Sequence, residues 1–315
     1  MTVLTSAALH HLLRRTEFVA KPERVAALSG LTLEAAVDDV LNFDLNNDPQ
    51  LPAYLTTNDP DNGWEQYVYA TEWWFDRMLT ATRPLQERLC FFWHGHFTSS
   101  WWDASGQARH LMAQNQLYRV MAAGNYIDFV QQMSIQPAML VYLSNAQNYA
   151  GEPNENFARE LMELFTLGVG NYTEADVQAA ARAWTGHNAD WPEYDYAFYA
   201  DRHDNDPKTF FGTTKNWDGP DIVNEILRDN SAKQLVAAKY ICRKLWEFFA
   251  YQSPDAALIT SLANVLVANN MELKPMLRAL FLRPEFYSIT AMQGSVKTPT
   301  DLFVSLAYYT DLNFH

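Results

Sequence analysis

A mainly α-helical, multi-helix bundle with one small β-hairpin around 194–211 is the fold class this sequence predicts. Apolar residues recur at three- and four-residue spacing along most of the chain, and capping residues, prolines and glycines bracket those stretches. Only the segment between His187 and Pro220 alternates aromatic residues around turn formers, as paired strands do. No repeat and no Gly/Ser-rich or charged linker divides the 315 residues. The expectation is therefore a single domain over 1–315, with helical layers 1–186 and 221–315 joined by the irregular segment 187–220.

The elements follow in order. Leu4 to Arg15 reads as a short helix, Pro22 opens a second that Gly30 stops, and Thr32 starts a third that fades by Phe43. Residues 42–63, with NNDPQLP and TTNDPDNG, lack periodicity and read as a long loop, of a length that is commonly functional or mobile. Trp64 to Ala81 is an aromatic-rich helix, Arg83-Pro84 opens the next, and Gln107–Ala123, Tyr126–Ser134 and Pro137–Leu143 follow. Pro153 suits a first helical position, Phe157, Leu161, Leu164 and Phe165 keep helical spacing, and Gly168 supplies the left-handed stop. Thr173, with Asp176 in capping-box position, starts a partner helix that Gly186 closes. Tyr194–Ala200 and Lys208–Phe211 read as the two strands of the hairpin, with Asn205-Asp206-Pro207 near the turn. Helices resume at Asp221–Asp229, Ser231–Tyr251, Ala256–Asn269 and Leu273–Leu282, and a last one starts after Pro299.

Composition excludes several classes. At 48% hydrophobic residues the chain can bury a core, and a net charge of −14 argues against a nucleic-acid partner. No apolar run approaches the roughly 20 residues of a membrane span. The start MTVLTSAALHHLLRR places its arginines after the apolar stretch, opposite to a secretory signal. A cytoplasmic protein is expected from the sequence as written, and a periplasmic or envelope one if a leader has been removed. The two cysteines, Cys90 and Cys242, lie in apolar helical segments and read as core thiols, with a single disulfide between them left open. Fourteen per cent aromatics, including Trp73-Trp74 and Trp101-Trp102, fit sugar-stacking platforms or large helical cores.

Three segments carry candidate chemistry. On the 153–168 helix, Asn156, Glu160 and Glu163 form a polar stripe, and Arg159 reaches Glu155 or Glu163. In RPLQERLCFFWHGHF, His96 falls on the buried face with Leu85, Leu89 and Phe92, whereas His94 points about 200° away. The two imidazoles bind one metal only if Gly95 breaks the helix, and each has a structural alternative as a partner for the last helical carbonyls. On the hairpin, His203 and Asp204 are followed by Lys208, a pattern shared by metal, acid–base and plain hydrogen-bonded sites. Asp201, Asp204 and Asp206 lack the glycine and distal glutamate of a calcium loop and read as a solvated turn. Nucleotide, dinucleotide, covalent haem and zincin motifs are absent. A mixed His/carboxylate set suits a divalent metal, iron, manganese or zinc, or metal-free acid–base catalysis with a raised Glu160 pKa.

Several of these strings together resemble one bacterial family. They are HHLLRR at 10–15, RPLQERLCFFWHGHF at 83–97, NQLYRVMAAGNY at 115–126, the 153–186 pair, HDNDPKTFFG at 203–212 and YICRKLWEFF at 240–249. In this order, over nearly the whole chain, the sequence is similar to the family catalogued as domain of unknown function 1800. The resemblance implies that members usually continue past the helix that ends here at His315, so this chain resembles a C-terminally shortened member. It also implies that members are often encoded beside a secreted, sulfatase-like family, a candidate protein partner with an envelope role. The stretch from YICRKLWEFF to Tyr287 resembles, more weakly, uncharacterised planctomycete proteins associated with cytochromes.

Two functions of different class follow as expectations. In the first, an enzyme hydrolyses a polymer or glycoconjugate with Glu160, His203 and Asp204 as catalytic groups. Asn156, Arg159, Glu163 and Lys208 surround them, His94 and His96 are metal ligands, and loop 42–63 covers the pocket. In the second, a non-catalytic helical protein binds a protein or saccharide partner, and the charged groups are an internal fastener. Convergence of the histidines with Glu160 on one open point separates the two.

Overall fold

A computed structural model describes residues 4–43, 50–59, 61–102, 108–190 and 195–312. The chain is mainly helical, as its periodicity predicts. The N-terminal helices are α1 (Ser6–Thr16), α2 (Pro22–Leu28), α3 (Leu33–Val40), α4 (Gly63–Thr80), α5 (Pro84–His96), α6 (Ala108–Met121), α7 (Tyr126–Ser134) and α8 (Pro137–Tyr142). The pair α9 (Asn156–Glu160) and α10 (Glu174–Ala183) follows, and the hairpin region ends in α11 (Gly219–Asn224). The last helices are α12 (Ser231–Phe249), α13 (Ala256–Ala268), α14 (Leu273–Phe281), α15 (Ile289–Gln293) and α16 (Pro299–Thr310). None of the described helices is long and apolar enough to cross a membrane.

Local chemistry sets the boundaries. Thr5, Thr32 and Asn125 accept hydrogen bonds from the first-turn amides of α1, α3 and α7, while Thr173/Asp176 and Thr298/Asp301 form full capping boxes on α10 and α16. Pro153 lies before α9 rather than inside it, and Asn154 accepts from the Asn156 amide at 3.0 Å. Beyond Glu160 the helix widens into a π turn over Leu161–Thr166, closed by the Leu167 amide on the Met162 carbonyl at 2.8 Å. A second π turn, Glu225–Asp229, follows α11.

The strand pairing differs from the predicted single hairpin. Among the described residues there are two hairpins, β1 (His187–Asp190) with β2 (Asp195–Phe198), and β3 (Lys208–Phe210) with β4 (Thr213–Lys215), both antiparallel. Tyr194, assigned to a strand by its sequence, lies outside the described residues. Phe211 and Gly212 both have positive φ, the geometry of a two-residue turn that matches strand twist, so Lys208–Phe210 folds back on Thr213–Lys215. Gly186, at φ 80°, lets the Tyr199 carbonyl come where a Cβ would stand only 2.6 Å from it, and so brings β2 back onto β1.

One continuous hydrophobic cluster runs from Leu9 in α1 to Ala291 in α15 and includes the buried indoles of Trp93, Trp184, Trp217 and Trp246. Helix α5 crosses this core buried on nearly all sides, which places charged Glu87 and Arg88 inside the protein beside Leu85, Leu89 and Trp93. Cys90 and Cys242 are buried free thiols, as their apolar settings predict. Of the long loop, residues 44–49 and 60 lie outside the described residues. The described part is tied to α4 by the Gln66 side chain, which donates to the carbonyls of Tyr54 and Thr57 at 2.6 and 2.9 Å.

Candidate functional site

Helix α5 continues through Gly95 to His96, so the break needed for His94 and His96 to share an ion is absent. His96 is 3% exposed, and its Nε2 faces the Phe165 carbonyl at 3.2 Å. A carbonyl only accepts, which assigns the ring proton to Nε2 and leaves Nδ1, buried and without a partner, as a lone pair. Burial and then the Lys244 charge push the His96 pKa well down, so the ring is neutral at physiological pH. His94 is exposed and lines two clefts, and the chain packed around its ring lowers its pKa also by desolvation. Its ring meets those of Trp74 and Tyr118, at 5.0 and 6.3 Å. Among the described residues no group of three or more His, Cys, Asp or Glu side chains could hold a metal ion.

The π turn splits the predicted stripe on α9. Glu163 accepts from the Tyr172 hydroxyl, and Arg159 bonds Glu155 at 2.9 Å and Glu174 at 3.0 Å, tying α9 to α10. The Arg159–Glu174 pair is largely exposed, so solvent screens it strongly. Asn156 donates to the Leu143 carbonyl at 3.2 Å. Glu160 makes no hydrogen bond or ion pair among the described residues. Partial burial and then the Glu163 charge raise its pKa, with Arg159 pulling the other way. None of the histidines contributes to that shift.

The third segment is a closed charge network. Arg182 of α10 grips Asp204 through Nε at 2.6 Å and Nη2 at 3.1 Å, and the Asp206 amide adds a bond at 2.9 Å. Burial works against the Asp204 charge, but these donors outweigh it and hold the carboxyl below its usual range. Lys208 is 1% exposed, and burial lowers its pKa. Its three N–H donors reach the Asp204 carbonyl, Asn216 Oδ1 at 3.1 Å and the Trp217 carbonyl at 3.1 Å, which leaves none for a ligand. His203 Nδ1 donates to the Thr185 carbonyl at 2.8 Å. His187, a further histidine of the mixed His/carboxylate set, lies between Asp218 at 2.9 Å and Tyr196 at 3.0 Å, with its ring edge on His203 at 6.4 Å. These groups fasten the two hairpins to α10 and α11.

Open space lies elsewhere. One cleft of about 470 Å³ is lined from α1, α5, α12 and the segment leading into α16, with Arg15, Arg88, His94, Lys244 and Lys297 on its walls. A second, of about 410 Å³, runs between α4, the segment 99–102 and α6, and shares Phe91 and His94 with the first. Its described lining contains aromatic rings, hydroxyls and amides, among them Tyr67, Trp74, Trp101, Ser99, Gln114 and Asn115, and no Asp, Glu, Lys or Arg. Trp64 and Trp102 stack at its mouth, ring centroids 6.2 Å apart and 18° from parallel, and are 59% and 76% exposed. Glu160, His203 and Asp204 line neither cleft, and no described residue of loop 42–63 covers either. The predicted meeting of three segments at one point is therefore replaced by two charge networks and a pair of clefts joined at His94.

Sequence reasoning missed Arg15, Arg88, Lys244, Lys297 and Asp301, which come from four distant stretches. The one local signal was Glu87-Arg88 within the apolar run of α5, since charges there must be paired inside the fold. A family model described as "Protein of unknown function (DUF1800)" matches residues 11–313. No curated protein and no solved structure matches the chain.

Proposed function

From the premise that this chain belongs to the family of proteins of unknown function described as DUF1800, we propose that it is a saccharide-binding protein that seats sugar rings along the neutral aromatic groove between α4 and α6. The observation that carries this reading is the lining of the groove. A sugar ring offers flat C–H faces and a rim of hydroxyls, so it needs aromatic faces to cover the first and neutral donors and acceptors to pair the second. The groove supplies Trp74, Tyr67 and Trp101 for the faces. Ser99, Gln114 and Asn115 supply the polar partners, with Gln114 Nε2 already oriented onto Ser99 Oγ at 3.0 Å. The exposed Trp64–Trp102 stack extends the platform beyond the cleft, as an oligosaccharide longer than the groove requires. Of the residues nominated for catalysis, Asp204 is engaged by Arg182 and His203 Nδ1 by the Thr185 carbonyl, which fits a binding role.

Affinity electrophoresis through gels cast with soluble neutral and acidic polysaccharides tests the reading. Retardation by at least one polymer, lost in Trp102→Ala, is the expected result. Unretarded migration through the whole panel sinks it, and retardation that survives Trp102→Ala removes the groove from the account.

Hydrolysis is the second reading, favoured by two observations. His203, with Nδ1 committed to Thr185, keeps Nε2 as an acceptor, and Glu160 is an unpaired carboxyl with a raised pKa. Release of reducing ends from a retained polysaccharide, abolished by Glu160→Gln, would favour it over binding alone.

A further inference from the structure

The cleft lined from α1, α5, α12 and the segment leading into α16 carries a charge opposite in sign to that of the chain as a whole. The chain has a net charge of −14, yet Arg14, Arg15, Arg88, Lys244 and Lys297 line this cleft against only Glu247 and Asp301. Both carboxylates are already occupied. Asp301 takes Arg88 and closes the cap of α16 through Thr298, and Glu247 accepts from the Ser253 amide at 3.2 Å. Among the described residues the other four cations hydrogen-bond only to neutral groups or to none, although Asp301 and Glu247 lie near enough to favour the charges of Arg15 and Lys244. Arg14 donates to the His10 carbonyl at 3.1 Å, Arg15 to the Ala291 carbonyl and Lys297 to Ser305 Oγ, while Lys244 makes no hydrogen bond or ion pair among the described residues.

The arrangement at the base of the cleft is more specific. Arg88 is 5% exposed, with its guanidinium carbon 5.1 Å from the Phe18 ring and 4.7 Å from the Phe248 ring, and both rings line the cleft. One end of this clamped fork meets Asp301, while Nε is buried without a hydrogen-bond partner. A buried N–H on a charged group is costly to leave unpaired. Arg15 stands near enough to Arg88 for the two charges to disfavour each other, and the single Asp301 carboxylate is shared between them, one negative charge against two positive. Two guanidinium groups and two flanking ammonium groups around a confined volume match the several acceptor oxygens of a tetrahedral anion.

We infer that the cleft between α1, α5, α12 and α16 is a binding site for a tetrahedral oxyanion group, phosphate or sulfate, on a ligand that enters past Lys244 and Lys297. Arg88 and Arg15 hold the anion at the base, and Lys244 and Lys297 flank the entrance. The site stands whether or not the neighbouring groove holds a sugar.

Isothermal titration with sodium phosphate, and separately with sodium sulfate, against a chloride background of matched ionic strength tests it. The expected result is one-site binding of at least one of the two ions, with the two arms showing which is preferred. Lys244→Gln and Lys297→Gln, at a half-buried and an exposed position outside the core, should keep the wild-type unfolding midpoint and weaken binding roughly tenfold in at least one case. Absence of binding heat for both ions at millimolar concentration overturns the proposal, as does unchanged affinity in both folded variants. Trp102→Ala should leave phosphate binding unchanged, so failure here is distinguishable from failure of the saccharide reading.

Discussion

Arg182 holds Asp204 in a two-point grip, Nε to Oδ2 at 2.6 Å and Nη2 to Oδ1 at 3.1 Å, and buried Lys208 stands behind it with Nζ 3.9 Å from the same carboxylate. The carboxyl that the sequence nominates as catalytic is thus paired with two cations. Asp204→Asn leaves the Lys208 ammonium without its nearby charge in a buried setting, and the expected cost is about 2 kcal/mol. Urea unfolding of the variant measures this. A midpoint equal to wild type would mean that Asp204 is free for chemistry.

The acid limb of stability follows from the carboxyls whose folded pKa is depressed. Donors to Asp204, and Arg88 beside Asp301, outweigh burial and hold both below the unfolded value of about 3.9. The unfolded chain takes up protons first, so their stabilisation is fully present above that value and is lost as pH falls through the folded pKa. Asp301→Asn should thus show lower stability at neutral pH and a shallower decline below about pH 4. Glu160 runs the other way, because its folded pKa is raised. Its contribution is present below the unfolded value and lost as pH rises through the folded one, so Glu160→Gln should gain stability at neutral pH. Superimposable wild-type and Asp301→Asn curves from pH 2 to 7 (about the range where carboxyls titrate) would contradict this account.

Glu87 and Arg119 form the most deeply buried ion pair described, with Nε to Oε1 at 2.7 Å and Nη2 to Oε2 at 2.9 Å, and Trp74 Nε1 adds a bond to Glu87 at 3.2 Å. Arg119→Met strands the Glu87 charge inside the core and should cost about 3 kcal/mol, the low end of the usual range because Arg77 lies 3.6 Å away. The double change Glu87→Met with Arg119→Met should recover most of that loss in thermal unfolding. A double variant no more stable than the single one would show that packing, not the stranded charge, sets the cost.

The helical architecture was legible because each helix carries its own signals. Thr173 and Asp176 form the capping box their spacing announces, Gly168 and Gly186 take the positive φ expected of stops, and His96 lies on the buried face that period 3.6 assigns to it. What was not legible depends on distant partners. Nothing near Asp204 in sequence names Arg182, and Arg88 meets Asp301 across 213 positions. The π turn after Glu160 was hidden as well, since LMELFT reads equally well as α-helix. The one expected hairpin becomes two because Phe211, the expected last residue of the Lys208–Phe211 strand, instead takes a positive φ and turns the chain together with Gly212. The aromatic groove was visible only as composition, the Trp101-Trp102 pair, until the fold set α4 and α6 on either side of it.

The central claim is that ligand is held by the aromatic groove and not by the Glu160 carboxyl. Its most direct measurement is isothermal titration of the oligosaccharide corresponding to the retaining polymer into wild-type protein, Trp102→Ala and Glu160→Gln. Truncating the 76% exposed Trp102 should leave stability within about 0.5 kcal/mol and weaken binding roughly tenfold, while Glu160→Gln binds as wild type. Binding that survives Trp102→Ala and disappears in Glu160→Gln would contradict the account.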